Sequence, residues 1–366
     1  MTSLAYQRPF FNIRCYYRPL ILAVTAVILL CTFWFASRYP QLLDKAEHVG
    51  QAIPNMANSH ELLPISADTP VWNKILFGAI NWLDSMKLGM SFGMLLGALL
   101  HTFLRYYPLK IGNNLYLNSL KGALIGVPMG VCANCAVPTA CGITRGHGRI
   151  EIALGFLFSS PNFNPVVMTM TFIALPLAMG VTKYTILLLV ILFVVPATIA
   201  WLDRTQPIKP FTVDDDNSSC AIPFASEDCT ETLSSVATEM AQDYAKNVWM
   251  LVKPTIVLML LASIVSSAML TLLPWQTLLS DITPLKLALV SVISVFMPVP
   301  IALDVMFAAQ LYHQGIPLGY VMLFAMTLGT YSIIPTVYLW REVSKRLAVI
   351  LFAFFVAVGW VTGLLF

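Results

Sequence analysis

Long apolar runs separated by short polar breaks dominate the chain. Runs near residues 20–36, 86–104, 150–178, 184–202, 247–273, 316–340 and 347–366 each predict a helix able to cross the hydrocarbon core, which takes roughly 20 residues. Two further runs cannot be single straight helices. Residues 115–143 are interrupted by Pro128, Gly130 and Pro138, and residues 285–312 by Pro298 and Pro300. Such breaks free backbone amides and carbonyls that hydrocarbon cannot satisfy, so they predict segments buried in protein or lining a wet cavity.

Composition agrees with that pattern. Hydrophobic residues make up 58% of the 366 positions and charged residues 11%, against about 25% charged in soluble domains. Little chain remains for a separate soluble domain. The formal net charge of +3 is small, and no basic stripe with interleaved aromatics is present, so nucleic acid is not an expected partner. The basic residues instead report orientation.

By the positive-inside rule, Arg8, Arg14 and Arg18 place the N-terminus in the cytoplasm, and the run at 20–36 reads as an uncleaved anchor. A second crossing brings Arg105, Lys110 and Lys121 inside. Arg145 with Arg149, and Arg341 with Lys345 and Arg346, can also lie inside only if 115–143 and 285–312 are re-entrant hairpins. That places the loop at 203–246 in the cytoplasm and the C-terminus in the periplasm.

The two broken segments are related. A shift of about 169 residues lays Cys135 on Asp304, Gly146 on Gly315, and Ala153 to Phe158 on Met322 to Thr327; with one slip Pro165 falls on Pro335. Each unit then holds three full crossings, and an odd number inverts the second copy. The expected fold is an all-α polytopic membrane protein of two inverted-topology repeats, each with a broken or re-entrant helix hairpin. Its parts are an anchor helix and external loop at 1–80, repeat 1 at 81–202, a cytoplasmic linker at 203–246 and repeat 2 at 247–366.

Three constellations carry candidate chemistry. In the first, Gly126 to Gly142, the breaks free backbone groups, Asn134 offers donor and acceptor, and Cys132, Cys135 and more weakly Cys141 offer soft ligands once deprotonated. The second is Ser159 to Pro165, where two prolines bracket Asn162 and Asn164 within an apolar run; its partner in the second unit keeps Thr330 and Ser332 before Pro335. The third is Asp304. A carboxylate near the bilayer centre costs about 2.5–3.5 kcal/mol on insertion scales, so it suits proton coupling across a polar interior. Cys220 and Cys229 are too far apart for a short chelate motif, and no histidine pair has metal-ligand spacing. Neither a metal nor a cofactor is expected. Without a GxxxxGK[ST] motif, ATP energy would have to come through a partner.

At these residues the chain resembles the ArsP and YraQ family of predicted permeases, over roughly residues 75–366. The family's pattern is a Cys-x-Cys-Gly-x-x-Pro segment, a glycine-containing turn, an alanine-rich helix and a Pro-x-x-Asn break. It is matched by Cys132 to Pro138, Arg145 to Arg149, Ile150 to Phe158 and Pro161 to Pro165. One departure is plain: aligned on Pro138, Asn134 stands where the second family cysteine falls. Characterised relatives export trivalent organoarsenicals. The resemblance therefore implies a multi-pass permease of the bacterial inner membrane, and together with Asp304 a proton-coupled carrier of a small soft or thiol-reactive solute such as a metalloid compound. A small solute and the lipid bilayer are the expected partners, with a homo-oligomer left open. The alternative is a membrane thiol oxidoreductase using Cys132 and Cys135.

Overall fold

The computed structural model describes residues 17–40, 43, 62–66, 68–106, 112–145, 149–205 and 232–366. Cys220, Cys229, most of the predicted linker, and Arg8, Arg14, Lys110 and Gly146 lie outside them. The described residues form helices and no strand. In order the α-helices, some continued by short π-helical turns, are α1 (Tyr17–Phe33), α2 (Val71–Tyr106), α3 (Leu115–Gly126), α4 (Ala133–Arg145), α5 (Ile150–Asn162), α6 (Pro165–Ala174), α7 (Leu177–Leu189) and α8 (Val195–Thr205). There follow α9 (Leu233–Leu272), the single turn α10 (Trp275–Leu278), α11 (Pro284–Phe296), α12 (Leu303–His313), α13 (Leu318–Thr327), α14 (Ile333–Tyr338) and α15 (Lys345–Leu365).

Among the described residues, five helical stretches are long and apolar enough to cross a membrane: Tyr17–Ala36, Val71–Leu104, Leu177–Arg204, Leu233–Leu272 and Lys345–Leu365. Their outward faces carry Leu261, Val361, Leu188 and Phe193, all exposed, a surface that suits lipid rather than water. Several bounds differ from the hydrophobic pattern. Helix α2 begins at Val71 rather than 86, through a largely apolar stretch punctuated by Asn73, Lys74, Asn81 and Asp84, and α9 begins at Leu233 rather than 247, through a polar opening stretch. The run at 150–178 is two helices, α5 and α6, parted at Phe163 and Asn164, and the run at 316–340 is parted likewise between α13 and α14.

Close backbone approaches fix helix directions. Gly93 packs against Cys135 and Gly97 against Pro138, so α4 runs parallel to α2. Gly122 packs against Ile152 and Gly126 against Phe156, so α3 runs parallel to α5. The Val131 amide, just before α4, donates to Ser160 Oγ near the end of α5, so α4 runs antiparallel to α5; α3 and α4 therefore run in opposite directions, and the chain reverses between Val127 and Cys132. Pro128 and Gly130 supply that reversal, with Gly130 at φ 56°.

The second broken segment reverses too, from the other end. Trp360 Nε1 donates to Pro284 O at 2.9 Å and Ser291 Oγ to Val356 O at 2.8 Å, so α11 starts beside the far end of α15. Gly319 meets Gly363, which starts α13 at that same end. Between them Pro298 and Pro300 break the chain, and Ala302 takes the left-handed conformation at φ 64°. The near end of α15 is tied to the first unit by a bidentate pair, Arg145 Nε and Nη2 to Glu342 at 2.9 and 2.7 Å. Arg18 joins Glu239 at 2.9 Å at the start of α9, which lies antiparallel to α2, with Asn247 Nδ2 donating to Thr102 Oγ1 at 2.8 Å and Ser267 further along α9 meeting Gly78 earlier in α2. Arg18, Arg145 and Lys345 therefore share one end of the bundle.

Helices α4, α5 and α13 form the centre, where every residue from Ala133 to Thr144, from Glu151 to Asn162 and from Gly319 to Thr327 is buried. A helix apolar on all sides has no preferred outer face, and it becomes the interior when amphipathic neighbours enclose it.

Candidate functional site

The four chain breaks meet. Asn134, in the first turn of α4, donates from Nδ2 to Val299 O at 3.1 Å, and its Oδ1 accepts from Ser332 Oγ at 2.6 Å. One amide thus links the tips of both reversals to the break before α14. The same theme recurs at the break after α5, where Thr330 Oγ1 donates to Asn162 Oδ1 at 3.2 Å and Asn162 Nδ2 to Phe158 O at 3.1 Å. Ser160 Oγ accepts from the Val131 amide at 3.2 Å, tying the first tip to α5. These side chains satisfy the backbone groups that proline and glycine free, the condition for irregular backbone inside a membrane.

Asn164 behaves differently. Its Oδ1 caps α6 by accepting from the Val166 amide at 3.0 Å, while its fully buried Nδ2 meets no acceptor among the described residues. A buried donor without a partner costs about 1–3 kcal/mol, so this amide is a ready point for a solute or water oxygen.

Asp304 stands in the first turn of α12, directly after the second break, with a side chain only 4% exposed. Its Oδ2 accepts from Lys183 Nζ at 2.6 Å, and the Lys183 side chain is 1% exposed. Lys183 comes from α7, so this pair joins the two halves of the chain. Gly329 makes room for it: a Cβ there would stand 2.6 Å from Asp304 Cγ. Hydropathy missed Lys183 because a lysine beside an apolar run reads as its polar edge, and the predicted span began at 184. The helix in fact begins at Leu177 and carries the ammonium inward.

Cys132 and Cys135 are joined in a disulfide with Cα atoms 5.1 Å apart, so they offer soft thiolate ligands only after reduction. Met86 Sδ lies 3.8 Å from Cys132 Sγ and 3.9 Å from Cys135 Sγ. Cys141 is a free buried thiol further along α4. Neither Met86 nor Trp82, one turn before it, was singled out by the sequence. Trp82 Nε1 donates to Pro298 O at 2.9 Å, bracing the second tip against α2. Beside it lies a cavity of about 50 Å³ lined by Trp82, Trp275, Met297, Val299 and Phe307 among others. It ends at the same Val299 whose carbonyl holds Asn134.

The structure thus gathers Cys132, Asn134, Cys135, Asn162, Thr330 and Ser332 around the meeting breaks. Asn164 caps the next helix, and Asp304 is bound up in the ion pair. The family model described as a predicted permease matches residues 79–366, which include every one of these residues. The UPF0718 protein YraQ of Escherichia coli (strain K12) is 24% identical over 200 residues, covering 52% of this chain and 55% of that protein. The chain so spans about half the length of the curated relative it matches. No solved structure matches it. On the strength of the family match over most of its length, the chain belongs to the ArsP_1 family of predicted permeases.

Proposed function

We propose that the chain is a proton-coupled secondary permease of the bacterial inner membrane for a small soft or thiol-reactive solute. The observation that carries the reading is the buried ion pair between Lys183 and Asp304, which joins the two halves beside the second chain break. Charges are rare inside spanning bundles and mark ion or proton pathways. A proton on Asp304 removes the attraction that holds α12 to α7, and its departure restores it. That is a two-state element which a pH gradient can bias.

The two units act as inverted repeats that rock about the meeting breaks, in the manner of transporters with discontinuous helices at the midplane. Asn134, Asn162, Asn164, Thr330 and Ser332 exchange their bridges for solute as the tips part, and reduced Cys132 and Cys135 supply soft ligands. Neither the family match nor the YraQ relative supports the thiol oxidoreductase alternative.

The test is transport in proteoliposomes holding reduced protein, with a silver(I) or trivalent arsenical load and an imposed pH gradient. Wild type should show uptake that follows the gradient. Asp304→Asn copies the protonated shape but cannot release a proton, so it should lose gradient-driven transport while still binding solute. Undiminished gradient-driven transport by Asp304→Asn would refute the coupling.

A further inference from the structure

We propose that Met86, Cys132 and Cys135 form a three-sulfur site for a soft monovalent cation, copper(I) or silver(I), in the reduced protein. This rests on the permease reading only in taking the cysteines as solute ligands. It adds a third ligand and names the class of solute.

Three observations support the site. First, all three side chains are buried, with relative exposures of 1%, 2% and 1% for Met86, Cys132 and Cys135, so their sulfurs are enclosed by protein rather than exposed at the surface. Second, the spacing fits. A trigonal ion with metal-sulfur bonds of about 2.3 Å needs sulfurs roughly 4.0 Å apart. Met86 Sδ already stands 3.8 and 3.9 Å from the two cysteine sulfurs, while the third edge opens when the disulfide is reduced. Third, the donor set selects the ion. Thioether and thiolate sulfurs are soft, and no group of three or more His, Cys, Asp or Glu among the described residues offers the harder ligands that zinc would add. One thiolate also neutralises a monovalent cation, which suits a helix whose residues from Ala133 to Thr144 include no charge.

The balance is simple. A dithiol such as dithiothreitol gives two electrons and two protons to the Cys132–Cys135 bond, which breaks into two thiols while the reductant closes to its own disulfide. The cation then displaces one thiol proton to solvent and binds that thiolate, the second cysteine sulfur and Met86 Sδ.

Anaerobic titration of the reduced, detergent-solubilised protein with copper(I) against a chromophoric chelator tests the site, alongside X-ray absorption at the copper edge. Wild type should bind one copper(I) with three sulfur neighbours. Met86→Leu, close in volume, should lower affinity by about tenfold or more, since even outer-shell partners are worth that much, and leave two sulfurs. Met86→Cys should retain three. Met90→Leu, one turn along the same helix, should change nothing, and the oxidised protein should not compete with the chelator. Equal affinity of Met86→Leu and wild type, or failure of reduced wild type to bind, would overturn the site. Because binding is read at equilibrium without transport, tight binding by a protein that moves no silver(I) in vesicles would count against the permease reading and leave the site standing.

Discussion

Lys183→Met should destabilise the protein far more than the double change Lys183→Met/Asp304→Asn. At the observed 2.6 Å, with both side chains almost wholly enclosed, two unit charges attract by about 6 kcal/mol at an effective dielectric of about 20. Removing both ions from water costs several kcal/mol each, so the intact pair is close to neutral for stability. Removing one partner is different, because it strands the other charge at a cost of about 3–5 kcal/mol. The double variant strands none and should lie within about 2 kcal/mol of wild type. Unfolding of purified protein in detergent, followed by tryptophan fluorescence, measures all four members of the cycle. If the loss in the double variant equals the sum of the single losses, the two groups do not interact and the ion pair fails as the link between the halves. The same double variant is a charge-balanced control for transport. It should remain folded yet show no gradient-driven uptake, which separates lost coupling from lost fold.

Other outcomes follow from neighbouring contacts. Gly329→Ala puts a methyl 2.6 Å from Asp304 Cγ, which Lys183 holds in place, so it should cost about 1–3 kcal/mol as overpacking and depress transport; wild-type stability in the same detergent unfolding assay would contradict this. Arg145→Ala should cost about 1.5–3 kcal/mol through loss of two charge-assisted bonds to Glu342, and the swap Arg145→Glu/Glu342→Arg should recover part of it; a swap no better than the single change would mean the pair does not bind the two halves. Ala302→Gly relieves a left-handed residue at the second tip and should raise the unfolding midpoint by an amount equal to about 1 kcal/mol, whereas Gly130→Ala, at the first tip, should lower it. Asn164→Leu removes a donor that finds no acceptor among the described residues, so it should weaken solute binding while costing less stability than Asn134→Leu, which strands Val299 O and Ser332 Oγ; the pair is compared by binding isotherms and unfolding.

The sequence by itself determined the solvent and most of the elements. Uninterrupted apolar runs can be satisfied only as helices in hydrocarbon, so α1, α7 with α8, and α15 were legible from their hydrophobic length alone. Pro128, Pro298 and Pro300 announced the two broken segments, and the pairs Asn162 with Asn164 and Thr330 with Ser332 announced the later breaks, because proline removes a donor wherever it falls. Helix ends were less legible. Scattered polar residues such as Asn73, Lys74, Asn81 and Asp84 in α2, and the polar opening of α9, do not stop the helices, because backbone hydrogen bonds do not require apolar side chains. What only the tertiary structure decided is pairing. Asp304 stood out as a lone acid, but its partner Lys183 is 121 positions away and looked like a boundary residue. The contact of Asn134 with Ser332 spans 198 positions, and Met86 reaches the cysteines from another helix. Such contacts depend on how helices cross, which side-chain chemistry along one helix does not encode. In hydrocarbon, moreover, burial exerts no hydrophobic pull that would mark the contacting face, so the small residues that let the helices approach and the polar groups that find one another settle it only once the bundle is assembled.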